Sequence, residues 1–310
     1  MNRRRFLQSG ALALAAGTTG CVHHDGPGQD ILDTHTHFYD PVRPQGVPWP
    51  NPGDAVLYRT VMPAEFQSLA APLGVTGTVV IEASAWPEDN DWLLQLADRD
   101  PFLRGVVGNL VPGQPRFRSD LKRLSRQPRF CGIRIGAQSL QAALERGPAR
   151  TDLHQLADLD GSLDLLIPPE RLPDAAQLGR LIPDLRIIVD HCGNVPVGSP
   201  PPGEWTGGLA ACHYAPNVFM KVSGLVEGTG RRGGQAPTDP EFYLPVLNAL
   251  WGPFGEDRLI FGSNWPVCLH FASYSTVLEI VRAYFNSKGA TAAGKYFNRN
   301  ARRAYRTRPG

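Results

Sequence analysis

At roughly 100–200 residues per domain, a chain of 310 residues has room for two domains or for one large barrel. With 42% hydrophobic and 19% charged residues, 33 Gly and 29 Pro, the composition supports a full core with many turns and excludes disorder, collagen and coiled coil. The 31 basic residues nearly balance the 29 acidic ones, and Arg3, Arg4 and Arg5 fall in a leader without acids. What remains is near neutral and carries no electrostatic footprint for nucleic acid or an anionic membrane surface, which leaves a small molecule as the expected partner.

Residues 1–21 begin Arg3-Arg4-Arg5-Phe6-Leu7 and continue with an Ala/Leu/Gly stretch too short and too weakly apolar to span a bilayer. This order predicts an export signal. Its R-R-x-F-L core resembles the twin-arginine pattern, which delivers already folded proteins to the periplasm. Thr19-Gly20-Cys21 also resembles the end of a lipoprotein signal, so any membrane attachment is expected through a lipid on Cys21; the alternative is an ordinary cysteine near the cleavage site. The other cysteines, at 131, 192, 212 and 268, form no C-x-x-C pair, which argues against a zinc ribbon or a disulfide scaffold and leaves room for one bridge.

From residue 29 to 306, short β-branched runs alternate with stretches of helical spacing. Strands are expected at 31–34, 77–81, 105–110, 132–135, 163–167, 185–190, 218–222 and 259–262. Runs such as Thr78-Val79-Val80-Ile81 and Arg186-Ile187-Ile188-Val189 suit strands covered on both faces in a parallel sheet. Helices are expected at 91–98, 120–125, 152–159, 172–181, 241–251, 275–285 and 294–305. Eight such repeats in one domain predict a single α/β fold, the (β/α)₈ TIM barrel. Long loops at 40–63, 193–208 and 224–238 all follow strands and so gather over the C-terminal mouth.

Asp33-Thr34-His35-Thr36-His37 stands at the end of the first strand, where residues two apart point the same way. His35 and His37 are therefore expected to project together and to be able to share a metal ion. This run, together with Gly132-Ile133-Arg134-Ile135, Val189-Asp190-His191 and Phe261-Gly262-Ser263-Asn264-Trp265-Pro266-Val267, resembles the amidohydrolase-related family of TIM-barrel hydrolases, and within it the branch of sugar-lactone and 2-pyrone-4,6-dicarboxylate lactonases. The resemblance spans residues 30–305. It implies a hydrolase of cyclic esters or related bonds, with His35, His37 and His191 as ligands of a divalent ion such as zinc or manganese, or as donors to a substrate carbonyl.

Two departures from the family pattern stand out. The strand-eight position usually held by an aspartate that accepts a proton from the attacking water is Asn264, and an amide takes no proton near neutral pH. The strand-five histidine that often joins a zinc site is absent from residues 163–168. Metal-dependent and metal-free hydrolysis, the latter by polarisation through histidines and arginines, both stay open.

Glu82, at the end of strand two, is the candidate replacement base, the other reading being an ion pair with Arg134. Arg134 offers a bidentate fork to a substrate carboxylate or lactone oxygen. Lys221, a cation in an apolar strand, either stabilises an oxyanion or pairs an acid. Trp49, Trp86 and Trp265 follow strands and are candidates to line the pocket or to pack beneath the loops. Gly228-Thr229-Gly230-Arg231-Arg232-Gly233 has dinucleotide-loop spacing, but the following Gly-Gln-Ala-Pro cannot open a helix, so no nucleotide cofactor is expected. The expected function is lactone or ester hydrolysis of a small carboxylated or hydroxylated ring. Its rivals are an amidase or decarboxylase on the same scaffold, and a barrel that has lost hydrolysis and binds a periplasmic ligand.

Overall fold

A computed structural model describes residues 30–307; the expected export signal and the lipidation candidate Cys21 lie outside the described residues. The strands are β1 (Ile31–Thr36), β2 (Val75–Ile81), β3 (Leu103–Gly108), β4 (Phe130–Gly136), β5 (Ser162–Leu166), β6 (Arg186–Val189), β7 (Val218–Val222) and β8 (Leu259–Phe261). They form one sheet in chain order with every neighbouring pair parallel. The first and last strands meet through a bridge between Thr36 and Trp265. Two side-chain bonds reinforce that seam: Thr34 Oγ1 donates to the Phe261 carbonyl at 2.5 Å, and the Ser263 amide donates to Asp33 Oδ1 at 2.9 Å. The sheet is thus a nearly closed barrel.

Around it run α1 (Pro63–Ala70), α2 (Asp89–Arg99), α3 (Phe117–Leu124), α4 (Ala137–Leu144), α5 (Pro148–Asp158), α6 (Leu172–Leu181), α7 (Gly203–His213), α8 (Leu244–Phe254), α9 (Tyr274–Ser287), α10 (Ala290–Gly294) and α11 (Asn300–Tyr305), the last two joined by a π turn. The expected loop at 193–208 is corrected at its end, where α7 begins at Gly203. Trp205 is buried there, with Nε1 donating to the Cys192 carbonyl at 2.7 Å, and a side chain at Gly208 would collide with Leu172. Tertiary packing has overridden a Gly-rich sequence of low helix propensity. The cysteines at 131, 192, 212 and 268 are buried free thiols, so the room left for a disulfide is not used.

The barrel interior is layered by register. Arg134 lies opposite Asp164, Asp164 opposite Ile188, Ile188 opposite Phe219, and Lys221 opposite Ile260. Ile188, Phe219 and Ile260 join Leu32, Val79, Ile81, Val107 and Cys131 in an apolar layer that Ala301, Ala304 and Tyr305 of α11 complete. Above that layer stand the charged residues Asp164, Asp190 and Lys221, all fully buried. The apolar end excludes water, so every charge in the next layer must find its partner inside the protein or at the mouth.

Candidate active site

His35 reaches into this charged layer. Lys221 Nζ lies 2.6 Å from Asp164 Oδ2, 2.8 Å from Asp190 Oδ1 and 3.2 Å from His35 Nδ1. Tyr305 donates a further bond to Asp164 Oδ2 at 2.7 Å. An ammonium can only donate, so His35 Nδ1 accepts and the neutral ring carries its proton on Nε2. Burial, with Lys221 adding to it, holds the His35 pKa well below the ordinary value, which keeps the ring neutral. Its Nε2 is buried and has no hydrogen-bond partner among the described residues. The close stacking of His35 on Lys221 needs Gly262, where a Cβ would come within 2.9 Å of His35 Cβ and 3.1 Å of Lys221 Cδ. Burial alone would keep Asp190 protonated, but Lys221 and His35 outweigh it and hold the carboxyl well below its usual range; burial pushes Asp164 up to about 7.

After β6 the chain makes a left-handed turn, with φ near +50° at His191, Cys192 and Asn194 and +67° at Gly193. For residues with a Cβ this costs about 1–2 kcal/mol each. The turn is held by Asn194 Nδ2 donating to the Ile167 carbonyl at 2.8 Å and by the His191 amide donating to Ser223 Oγ at 3.2 Å. The strained conformation aims His191 inward, 4.4 Å from His35 between ring centroids, with Nδ1 2.9 Å from Ser223 Oγ and burial lowering its pKa to about 4.

Candidate ligand atoms of His35, Asp190 and His191 lie within 4.8 Å of one another. This set fits a divalent cation: Asp190 Oδ1 is ion-paired with Lys221 at 2.8 Å, Asp190 Oδ2 has no hydrogen-bond partner among the described residues, and His35 can offer Nε2 once its proton shifts to Nδ1, which Asp190 Oδ1 faces at 3.6 Å. His37, expected in the ligand set, is replaced there by Asp190. The signal was present in the sequence, since Asp190 directly precedes His191, but it read as the last residue of a strand.

His37 has the opposite surroundings. Its Nδ1 lies 3.0 Å from the Ile81 carbonyl, which can only accept, so the proton sits on Nδ1 and Nε2 keeps its lone pair. Burial lowers its pKa to about 3. Nε2 faces Asn264 Oδ1 at 3.3 Å, and Asn264 Nδ2 donates to Glu227 Oε1 at 2.8 Å. Glu227, in the loop after β7, is a residue the sequence reading missed: it is an acid in an otherwise apolar run, and its role exists only through Asn264, 37 positions away. Burial raises its pKa to about 7.

A cavity of about 370 Å³ opens on the far side of Trp49, whose ring centroid lies 5.7 Å from that of His37; it is lined among others by Trp49, Glu82, Ser84, Asn109, Arg134 and Ser139 and by none of the three histidines. Arg134 Nε donates to Glu82 Oε1 at 2.9 Å and a terminal nitrogen donates to the Glu82 carbonyl at 2.6 Å, while the guanidinium lies 3.9 Å from Asp190. Glu82 is therefore an ion-paired wall of the cavity. Burial raises its pKa, and Arg134 opposes the rise.

Two expected substrate contacts are corrected. Lys221 is sealed between two aspartates beneath His35, with no exposure to the mouth. Trp265 is turned back into the core by the left-handed Asn264 (φ +60°) and packs on Phe38 and Phe66. Of the three tryptophans only Trp49 lines this cavity; Trp86 is 36% exposed outside it.

The amidohydrolase family profile matches residues 32–307. An L-fucono-1,5-lactonase of Burkholderia ambifaria is 31% identical over 286 residues, covering 89% of this chain and 95% of the relative. A zinc-bound amidohydrolase from Burkholderia multivorans superposes with a TM-score of 0.80 at 26% identity, covering 90% of this chain and all of the other. At 18% identity and a TM-score of 0.68, a probable 2-pyrone-4,6-dicarboxylic acid hydrolase from Acinetobacter baumannii shares the fold over 89% of this chain and 99% of its own. With the expected barrel, the histidines at the ends of β1 and β6 and a profile match over nearly the whole described region, the chain belongs to the amidohydrolase family.

Proposed function

We propose that this protein is a hydrolase that opens the ring ester of a small hydroxylated lactone, a sugar lactone of the kind named for its relatives. The observation that carries the reading is the opposite kind of partner behind two neighbouring histidines, an ammonium behind His35 and a backbone carbonyl behind His37. His35 presents an unpartnered Nε2–H, held so by Lys221, and His37 presents a lone pair on Nε2, held so by the Ile81 carbonyl. Their ring centroids are 5.0 Å apart. One is an electrophilic donor and the other presents a lone pair to the water proton, the pair that addition of water to a carbonyl requires; burial makes His37 a weak base that holds the proton only until the leaving alkoxide takes it back.

In this reading His35 Nε2–H bonds the carbonyl oxygen and strengthens that bond as charge develops there. A water O–H bond breaks, its electron pair forms the new carbon–oxygen bond, and its proton passes to His37 Nε2. Collapse of the tetrahedral centre breaks the ring carbon–oxygen bond, and the alkoxide takes back the proton, giving a hydroxy acid. Arg134 and the polar wall of Ser84, Asn109 and Ser139 hold the ring hydroxyls or a carboxylate. Zinc or manganese, when bound by His35, Asp190 and His191, would supply Lewis-acid polarisation of the same carbonyl. In this reading the twin-arginine-like leader of residues 1–21 would deliver the folded enzyme to the periplasm.

The test is hydrolysis of L-fucono-1,5-lactone and a simple aryl ester by the purified protein, with chelator and with added zinc or manganese. Turnover of the lactone well above the ester is expected. No turnover of the lactone under any of these conditions would contradict the reading.

A further inference from the structure

A second hollow, of about 380 Å³, adjoins the cavity that Arg134 and Glu82 line, and Ala85, Asn109, Leu110 and Val111 line both. The chemistry of the wall changes across that shared stretch. On the inner side stand the ions and hydroxyls of Glu82, Arg134, Ser84 and Ser139; on the outer side stand Pro87, Pro115 and Phe117. At the outer rim polarity returns, with Arg116 Nε 3.6 Å from Asp120 Oδ2. The shared stretch is held firmly. Asn90 of α2, itself buried, donates from Nδ2 to the Asn109 carbonyl at 2.9 Å and accepts from the Asn109 amide on Oδ1 at 2.7 Å. Asn109 Nδ2 in turn donates to the Ser84 carbonyl at 3.0 Å, and Gly108 lets Asn90 come this close, since a Cβ there would lie 2.6 Å from Asn90 Oδ1. Yet the next side chain but one, Val111, is apolar and 46% exposed. A fixed apolar surface left open beside a polar cavity gains free energy when a ligand covers it.

We propose that this hollow is a subsite for an alkyl chain carried by the lactone ring, so that the substrate is an alkyl-substituted lactone rather than a bare sugar lactone. The identity of the occupant follows from the order of the surfaces. Leading outward from the polar cavity, they run ionic, apolar and ionic again, which matches a molecule with an oxygen-rich head and an apolar tail of limited length. The head meets Arg134 and the hydroxyls; the tail crosses Asn109 and lies on Val111, Pro115 and Phe117. The Arg116–Asp120 pair sets the far limit, because a longer chain would have to take that pair out of water. The assignment of the head to a lactone rests on the hydrolase reading above; the assignment of the hollow to its tail does not depend on turnover.

The kinetic arm of the test compares δ-hexalactone, δ-octalactone, δ-decalactone and δ-tetradecalactone. KM should fall about two- to fourfold for each methylene added up to δ-decalactone, with kcat nearly constant, and the gain should end before δ-tetradecalactone. Val111→Asp, at a position exposed enough to accept it, should remove the dependence on chain length, and Val111→Leu should keep it. The second arm needs no turnover: calorimetry of the ring-opened acids should show 5-hydroxydecanoate binding at least about tenfold more tightly than 5-hydroxyhexanoate in the wild type and no such ratio in Val111→Asp. An affinity for these acids that does not grow with chain length, or a growth that survives Val111→Asp, overturns the proposal. A dimer that Val111→Asp dissociates, with flat binding of the acids, also overturns it and assigns the hollow to a second copy of the chain. Absence of turnover of every lactone, with acid binding that grows with chain length and depends on Val111, overturns the lactonase reading and leaves the subsite standing.

Discussion

His35 and His37 share a strand end and an interior, yet they differ in what stands behind them. Behind His35 is a fully buried lysine clamped by Asp164 and Asp190; behind His37 are a backbone carbonyl and an amide that leans on Glu227 without a cation. A donor behind one nitrogen makes the opposite nitrogen a donor, and an acceptor behind it makes the opposite nitrogen an acceptor. One side chain type thus fills two chemical roles through its second neighbours. The His35 side is charge-compensated and structural in its lower part, whereas the His37 side carries an acid whose ionisation is poised near neutrality.

The largest expected effect lies on the compensated side. Lys221→Met leaves two carboxylates buried without their cation and should cost about 3–5 kcal/mol in denaturant unfolding. It also removes the group that fixes the His35 tautomer, so kcat/KM should fall on the order of 10²–10³-fold. On the other side, His37→Gln should lower kcat/KM by about 10²–10⁴-fold with little change in stability, which separates the acceptor role from packing. Gly262→Ala inserts a methyl between His35 and Lys221, and should cost about 1–3 kcal/mol, read as a fall in Tm together with a loss of activity.

Stability should show the same contrast through pH. A carboxyl whose folded pKa is raised binds its proton more tightly when folded, so its contribution falls as pH rises from the ordinary carboxylate value through the folded one. Glu227, raised from 4.5 to about 7, therefore weighs against the folded state above that range. The lowered histidines act oppositely: their contribution is gained as pH rises toward 6.5 and lost on acidification. Glu227→Gln removes only the first effect. It should raise stability by about 3 kcal/mol at pH 8 and leave it unchanged at pH 4, measured as Tm at both. The smallest effect is expected at Trp86, exposed and outside the cavity, where Ala should change stability by less than about 0.5 kcal/mol and leave KM alone, while Trp49→Ala raises KM.

The barrel was legible because hydrophobic runs mark strands covered on both faces: all eight were expected within a few residues, β7 to the residue. α7 was not, because its glycines argue locally against a helix that Trp205 and the close packing at Gly208 secure from outside. In the site, His35, His37, His191, Arg134 and Glu82 were visible because strand ends of a barrel point at its mouth. Trp265 misled because alternation stops at the left-handed Asn264. Lys221 was readable as a charge in a buried strand, but its partners, Asp164 and Asp190, come from two other strands and are set by register alone. Glu227 lay beyond reach because nothing local says that a loop acid will meet a strand-eight amide.

The central claim, that the two histidines of β1 are held in opposite tautomers, is tested most directly by ¹⁵N NMR of ring-labelled protein at neutral pH, with His35→Gln and His37→Gln to assign the signals. The account predicts a proton on Nε2 of His35 and on Nδ1 of His37. Finding both rings protonated on the same nitrogen, or either one doubly protonated, would contradict it.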